Sequence, residues 1–99
     1  MPFETTIGLN VTDPQMYAEY RAGIAPLLEA AGARFRYDFE IARTLKSESQ
    51  YPINRVFVIQ FPDRDARDRF FADPNYRAIR ARYFEPSVNG ATTIAEATT

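Results

Sequence analysis

Cysteine, histidine and tryptophan are all absent from this sequence of 99 residues. Without cysteine there is no disulfide, no thiolate nucleophile and no zinc ribbon. Without histidine there is no His-ligated haem or zinc and no Ser-His-Asp triad. The carboxylates are scattered along the chain rather than grouped in a loop. We therefore expect no metal site and no cofactor, and any acid–base chemistry would use a perturbed carboxylate, a tyrosine or Lys46.

The charge balance is nearly neutral, with a net charge of −1 and an isoelectric point of about 5.4. Such a chain has no general attraction to nucleic acid or anionic lipid. No apolar run approaches the length of a membrane span. The start, Met1 to Glu4, lacks the basic region and apolar run of a signal peptide. We expect a cytoplasmic protein with no membrane and no nucleic-acid partner.

Hydrophobic periodicity predicts one α+β domain over residues 1–99, in the order β-α-β-β-α-β. The predicted strands are 3–11, 35–45, 53–61 and 88–96, and the helices begin at Asp13-Pro14 and within the charged segment 63–69. In strand two the odd residues are expected to share one face: Phe35, Tyr37, Phe39, Ile41 and Leu45. That face should lie under the helices, because it carries the large aromatic side chains.

This order of elements predicts a four-stranded antiparallel sheet with helices on one face. Strands one and three should be central and strand two an edge. Strand three is apolar on both faces, because Val56 and Val58 lie opposite its Phe and Ile residues. With no helix left to cover Val56 and Val58, a second copy of the sheet is the economical cover. We therefore predict a homodimer with these two valines in its interface.

Three segments together resemble a known family: Val11 to Pro14 followed by Tyr17 and Tyr20, then 55–62, then 71–76. From Leu9 to Ala95 the chain is similar to the small bacterial family DUF1330, within the dimeric α+β barrel superfamily. The resemblance implies a ferredoxin-like fold and a sheet-to-sheet dimer, and it supplies no function. Many members carry a Glu-Gly pair in the loop before strand three. Here Ser49 follows Glu48, so a role for that acidic loop does not carry over.

Arg43 and Arg55 are the first candidate ligand-binding residues. Both lie at odd positions of their strands, and a hairpin closing symmetrically about residue 49 would place them opposite each other. Like charges so opposed are unfavourable unless an anion or a carboxylate lies between them. One interpretation is a pocket mouth that grips a carboxylate through forked hydrogen bonds. The other is that both side chains lie near strand ends and pair with Glu48 or another acid.

Tyrosines on the helices form the second candidate set: Tyr17, Tyr20, Tyr76 and Tyr83. Their hydroxyls could line a pocket between sheet and helices, although tyrosine at helical spacing is more often part of the core. Asn10, at the end of strand one, suits either a ligand contact, a turn cap or an interface.

Two functional hypotheses are compatible with these patterns. RNA recognition is disfavoured, because 55–61 lacks the small residues of that motif and its Phe residues share the core face. The first hypothesis is a protein that binds a small anionic or aromatic molecule between sheet and helices, or a cofactor-independent enzyme resembling the monooxygenases of the superfamily. The second is a non-catalytic dimeric module for a metabolite or another protein. The fold alone does not decide; a closed pocket with converging Arg and Tyr groups would favour the first, and a filled core the second.

Overall fold

The order and pairing of the strands match the prediction. The computed structural model describes residues 1–99. Its elements are β1 (Phe3–Val11), α1 (Pro14–Ala30), β2 (Arg34–Glu40), β3 (Arg55–Phe61), α2 (Arg64–Ala72), α3 (Pro74–Ile79), a π-helical turn (Arg80–Phe84), a 3-10 turn (Glu85–Ser87) and β4 (Val88–Thr98). The antiparallel sheet has the order β2-β3-β1-β4, which confirms that β1 and β3 are central and β2 is an edge. None of the helices combines the length and the apolar character needed to cross a membrane.

An aspartate caps the start of each α-helix. The Asp13 carboxylate accepts a hydrogen bond from the Met16 amide at 3.1 Å, and Asp63 accepts one from Ala66 at 2.7 Å. Asp73 does the same for the helix that follows it. Each carboxylate satisfies a backbone N–H that has no partner within its helix. These caps fix where α1, α2 and α3 begin.

The core between the sheet and the helices is filled by aromatic side chains. Its buried members are Leu9, Tyr17, Tyr20, Ile24, Leu28, Phe57, Ile59, Phe61, Ala66, Phe70, Tyr76 and Phe84. Ring centroids approach to 4.9 Å between Tyr20 and Phe84 and to 4.8 Å between Phe70 and Tyr76. Every buried side-chain polar atom has a hydrogen-bond partner. The interior is therefore packed at the position where a pocket between sheet and helices was expected.

A β-bulge in β2 reverses the face of the residues that follow it. Phe35 pairs with Ile59, but Tyr37 pairs with Val58, so Arg36 is an extra residue that faces no partner on β3. Ile59 belongs to the core and Val58 to the opposite face of the sheet. An inserted residue shifts the two-residue alternation by one, so odd and even positions exchange faces at this point.

The prediction for strand two is therefore wrong beyond Phe35. Tyr37 and Phe39 lie on the face without helices, where they are 49% and 51% exposed and their rings stack at 6.1 Å. Asp38, expected on that face, lies on the helix side opposite Phe57. The strand also ends at Glu40 instead of continuing to Leu45.

We call the side of the sheet without helices the open face, and define it by Tyr37, Phe39, Val56, Val58 and Ile94. Ile94 joins this set because it is the extra residue at a register shift in β4: Thr6 of β1 pairs with Ala95, and the next residue, Ile7, pairs with Thr93. Its Cδ1 atom lies 3.2 Å from where a Cβ would stand on Gly8, the open-face partner of Val56. The open face thus presents a band of apolar side chains in which Tyr37, Phe39 and Ile94 are about half exposed and the two valines are partly exposed.

Candidate functional site

Two arginines and one aspartate meet at the helix side of the sheet. The Asp38 carboxylate accepts hydrogen bonds from Arg55 Nε at 2.8 Å and Arg55 Nη2 at 2.9 Å. It accepts a third from Arg21 Nη2 at 2.8 Å. Arg21 Nη1 donates in turn to the Tyr17 hydroxyl at 3.0 Å. We call these four residues the arginine–aspartate cluster.

Three elements, α1, β2 and β3, position the four members of the cluster. Tyr17 and Arg21 are four residues apart on α1 and so share a face of that helix. Arg55 is the first residue of β3, and the bulge at Arg36 turns Asp38 toward both arginines. The guanidinium of Arg21 lies over the Phe35 ring at 3.7 Å, which adds a cation–π contact. The cluster therefore ties α1 to the edge of the sheet.

The electrostatics of the cluster fix its charges. The hydrogen bonds from Arg55, followed by those from Arg21, hold the pKa of Asp38 below its usual range, against the opposing effect of partial burial. The hydrogen bond that Arg55 donates to Asp38 in turn raises the pKa of Arg55. Burial raises the pKa of Tyr17, although Arg21 opposes the shift. At neutral pH the cluster holds two positive charges, one negative charge and a neutral phenol.

The expected pairing of Arg43 with Arg55 is wrong. Glu40 pairs with Arg55 in the strand register, and Arg43 lies beyond the end of β2 in an exposed loop. Beyond Glu40, one backbone hydrogen bond joins the Ile41 N–H to the Asn54 carbonyl at 2.8 Å. Side-chain bonds follow it: the Thr44 hydroxyl accepts from the Ile53 N–H at 2.8 Å and donates to the Ile53 carbonyl at 2.6 Å. The acid beside Arg55 is therefore Asp38, not Glu48.

A depression of about 240 Å³ opens beside Arg55, lined by Val11, Pro14, Glu40, Ile41, Asn54 and Arg55. Asp38 engages Nε and Nη2 of Arg55, which leaves Nη1 without a hydrogen bond. Asn54, which directly precedes β3, joins it to β1 at the side of the depression formed by Val11: its side chain accepts a hydrogen bond from the Val11 N–H and donates one to the Val11 carbonyl, both at 2.8 Å. The depression combines one fixed guanidinium and the Glu40 carboxylate with the apolar side chains of Val11, Pro14 and Ile41.

Three of the four predicted tyrosines divide between two places, and the fourth, Tyr83, is partly buried against the core. Tyr17 belongs to the arginine–aspartate cluster. The hydroxyls of Tyr20 and Tyr76 lie 2.9 Å apart in the core, and Arg80 Nη1 donates to Tyr76 at 3.3 Å. Burial and the neighbouring Tyr76 raise the pKa of Tyr20 far above its usual value. Neither Tyr20 nor Tyr76 lines the depression beside Arg55.

Sequence reasoning missed Arg21 and Asp38. Arg21 lies next to the buried stripe of α1, and its spacing from Tyr17 was a usable signal. Asp38 gave none, because unbroken alternation placed it on the other face. No group of three or more acidic side chains comes together to hold a metal ion.

The fold and the packed helix layer define an α+β domain of the ferredoxin-like class. The chain belongs to the family described as domain of unknown function DUF1330, whose model matches residues 6–97. None of the curated proteins matches it in sequence.

Solved structures share the fold at low identity. A protein of unknown function from Rhodopseudomonas palustris, RPA0582, superimposes with a TM-score of 0.81 at 17% identity over 99% of this chain and 82% of that one. A dabb family protein with a ferredoxin-like fold from Mesorhizobium loti gives 0.67 at 16% identity over 99% and 96%. A dimeric ferredoxin-like protein of unknown function from Thermobifida fusca gives 0.62 at 13% identity over 100% and 92%.

Proposed function

We propose that this protein is a homodimer that binds a small organic monoanion beside Arg55. The observation that carries the proposal is the Arg55 guanidinium, which Asp38 holds in one orientation in the wall of a solvent-accessible depression. A guanidinium already fixed by one carboxylate loses little freedom when it binds a second. Its Nη1 group remains available to an anionic ligand.

The other walls of the depression restrict the ligand. Glu40 contributes a carboxylate, which would repel a second negative group on the ligand and so favours a monoanion. Val11, Pro14 and Ile41 offer apolar surface to the rest of the molecule. An aromatic or short aliphatic monocarboxylate meets both conditions.

The titratable groups favour binding over acid–base catalysis. A general acid or base works best with a pKa near the operating pH. In the cluster the pKa of Asp38 moves down and that of Tyr17 moves up, so both move away from neutrality. These groups support a binding site with constant charge better than the alternative of a cofactor-independent enzyme.

Titration with benzoate tests the proposal. Arg55→Met keeps an apolar stem and removes a charge-assisted hydrogen bond, which is worth about 1.5–3 kcal/mol. The dissociation constant should therefore rise about ten- to a hundredfold, as measured by calorimetry or NMR. Arg43→Met, which removes an exposed arginine outside the cluster, is the matched control and should leave binding unchanged. Equal weakening by both variants, or no binding to the wild type, would contradict the proposal.

The dimer is proposed to form through the open face. Two half-exposed aromatic side chains, Tyr37 and Phe39, extend the apolar surface of Val56 and Val58. Contiguous apolar surface of this kind marks an interaction site in a soluble protein. The structural neighbour from Thermobifida fusca is described as dimeric, and a two-fold axis would let the same patch cover itself.

Light scattering at micromolar concentration tests the dimer. Val58→Asp would bury an unpaired charge in the interface and should give a monomer or an unfolded chain. Ala22→Asp places the same charge at an exposed position of α1 and serves as the control. A monomeric wild type, or a dimer that Val58→Asp leaves intact, would refute an interface at this position.

A further inference from the structure

A second cavity lies on the other side of the sheet from Arg55. It has a volume of about 270 Å³ and lies between β1, β4 and the loop 49–53. None of its eleven lining residues is charged, although a quarter of the whole chain is. The volume would hold about nine water molecules at ~30 Å³ each, which is enough for a small ring with one substituent.

Uncharged residues with hydrogen-bonding side chains line this cavity. Among them, Asn10, Gln50 and Asn89 carry amides and Thr92 carries a hydroxyl. None of these four side chains makes a hydrogen bond within the protein. An amide presents donors and an acceptor together, so the set matches a ligand that offers both.

The loop that forms the outer wall is held in place. Tyr51 lies against Gly90, with its Cδ2 atom 3.1 Å from where a Cβ would stand on that glycine. Any larger residue at position 90 would push the ring away. The Ser49 hydroxyl donates to the Tyr51 carbonyl at 2.7 Å, and the bonds between Thr44 and Ile53 secure the end of the loop.

We propose that this cavity binds a small planar uncharged molecule that carries a carboxamide or an equivalent donor–acceptor edge. The amides of Asn10, Gln50 and Asn89 would pair with that edge, and the Tyr51 ring, 39% exposed, would cover the flat side of the ligand. A charged ligand is disfavoured because the lining offers no opposite charge to offset its loss of hydration. The site uses none of the residues of the arginine–aspartate cluster and does not depend on anion binding beside Arg55. It lies on the open face, where its lining residue Gly8 pairs with Val56, and so it borders the surface proposed for the dimer.

Benzamide and benzoate form a matched pair of probes, since they share a ring and differ in charge. Backbone amide NMR of the full-length protein, titrated with millimolar benzamide, should show shifts at 8–10, 49–53 and 89–92. Benzoate should leave the signals at 49–52 and 89–92 unchanged, whereas residues 8–10 and 53 lie next to Val11 and Asn54 of its own proposed site. Asn10→Ala and Asn89→Ala should each raise the dissociation constant for benzamide about two- to tenfold. Asn75→Ala on α3 and Arg55→Met should not change it.

Several outcomes would overturn the proposal. Benzamide could leave the cavity signals unmoved, benzoate could bind there equally well, or the two asparagine variants could bind benzamide as the wild type does. A fourth is that Asn10→Ala changes the dimer dissociation constant while benzamide fails to bind, which would mean that a partner protomer fills the cavity. Gln50→Ala, on the exposed loop, provides a further binding variant should Asn10→Ala not fold.

Discussion

Asp38 links two arginines from different elements, and removing its charge should destabilise the protein measurably. Asp38→Asn keeps the shape of the side chain and removes the negative charge that three hydrogen bonds use. Exposed ion pairs contribute about 0.2–1 kcal/mol, and breaking a buried pair costs about 3–5 kcal/mol. The Asp38 side chain is 29% exposed, with Arg21 at 19% and Arg55 at 24%. This intermediate burial gives an expected loss of about 2 kcal/mol, or roughly 10 °C in Tm for a domain of this size.

The pH dependence of this loss has a definite sign. Hydrogen bonds from Arg55 and then Arg21 lower the pKa of Asp38 in the folded protein. The stabilisation is therefore fully present above the unfolded carboxyl pKa of about 3.9, and it is lost as the pH falls through the lowered folded pKa. A protonated Asp38 resembles asparagine, so the difference in stability between wild type and variant should begin to shrink below about pH 4 and continue to shrink toward the lowered folded pKa.

Urea unfolding between pH 7 and pH 3, at one fixed protein concentration, measures both effects. Glu48→Gln removes an exposed carboxylate from the loop before β3 and is the control. A variant within about 0.5 kcal/mol of wild type at pH 7 would be typical of an ordinary surface substitution. Such a result, or a difference that does not change with pH, would refute the structural role assigned to Asp38.

Two further changes test the core and the end of α1. Tyr76→Phe leaves the buried Tyr20 hydroxyl without its partner and should lower the free energy of unfolding by about 1–3 kcal/mol. Tyr20→Phe leaves Tyr76 bonded to Arg80 and should lower it by only about 0.5–1.5 kcal/mol. Urea unfolding that ranks the two variants the other way would contradict this hydrogen-bond network. Gly32 follows α1 with a φ of +71°, and a Cβ there would stand 3.0 Å from Pro62 Cγ. Gly32→Ala should therefore lower the free energy of unfolding by about 1–2 kcal/mol. An unchanged melting temperature of this variant would contradict the prediction.

Much of the fold could be predicted because local rules and tertiary packing agree. The buried positions Tyr17, Tyr20, Ile24 and Leu28 follow a helical period, and they are the buried residues of α1. The capping Asp13 also lies where the Asp13-Pro14 pair predicted the start of a helix. In these segments no alternative conformation would satisfy the same hydrophobic pattern equally well.

The bulge could not be predicted, because the alternation in β2 continues through Arg36 without interruption. Only contacts distant in sequence favour the shifted register: Asp38 with Arg21 and Arg55, and Arg36 with Glu4 across the open side of the sheet. The candidate site shows the same contrast between local pattern and distant contacts. The helix-side position of Arg55 was predicted from the alternation in its own strand. Its pairing with Asp38 could not be predicted, because it depends on the bulge in β2.

The bulge also lets β2 lose a residue more easily than it could gain one. If Arg36 were deleted, Tyr37 would follow Phe35 directly, and its pairing with Val58, like that of Phe39 with Val56, would keep both rings on the open face. The change would remove the salt bridge between Arg36 and Glu4. An inserted residue would instead enlarge the bulge or exchange the faces of all the residues that follow it. Single-residue insertions in β2 are therefore constrained more tightly than the loss of Arg36, even though this strand lies at the edge of the sheet.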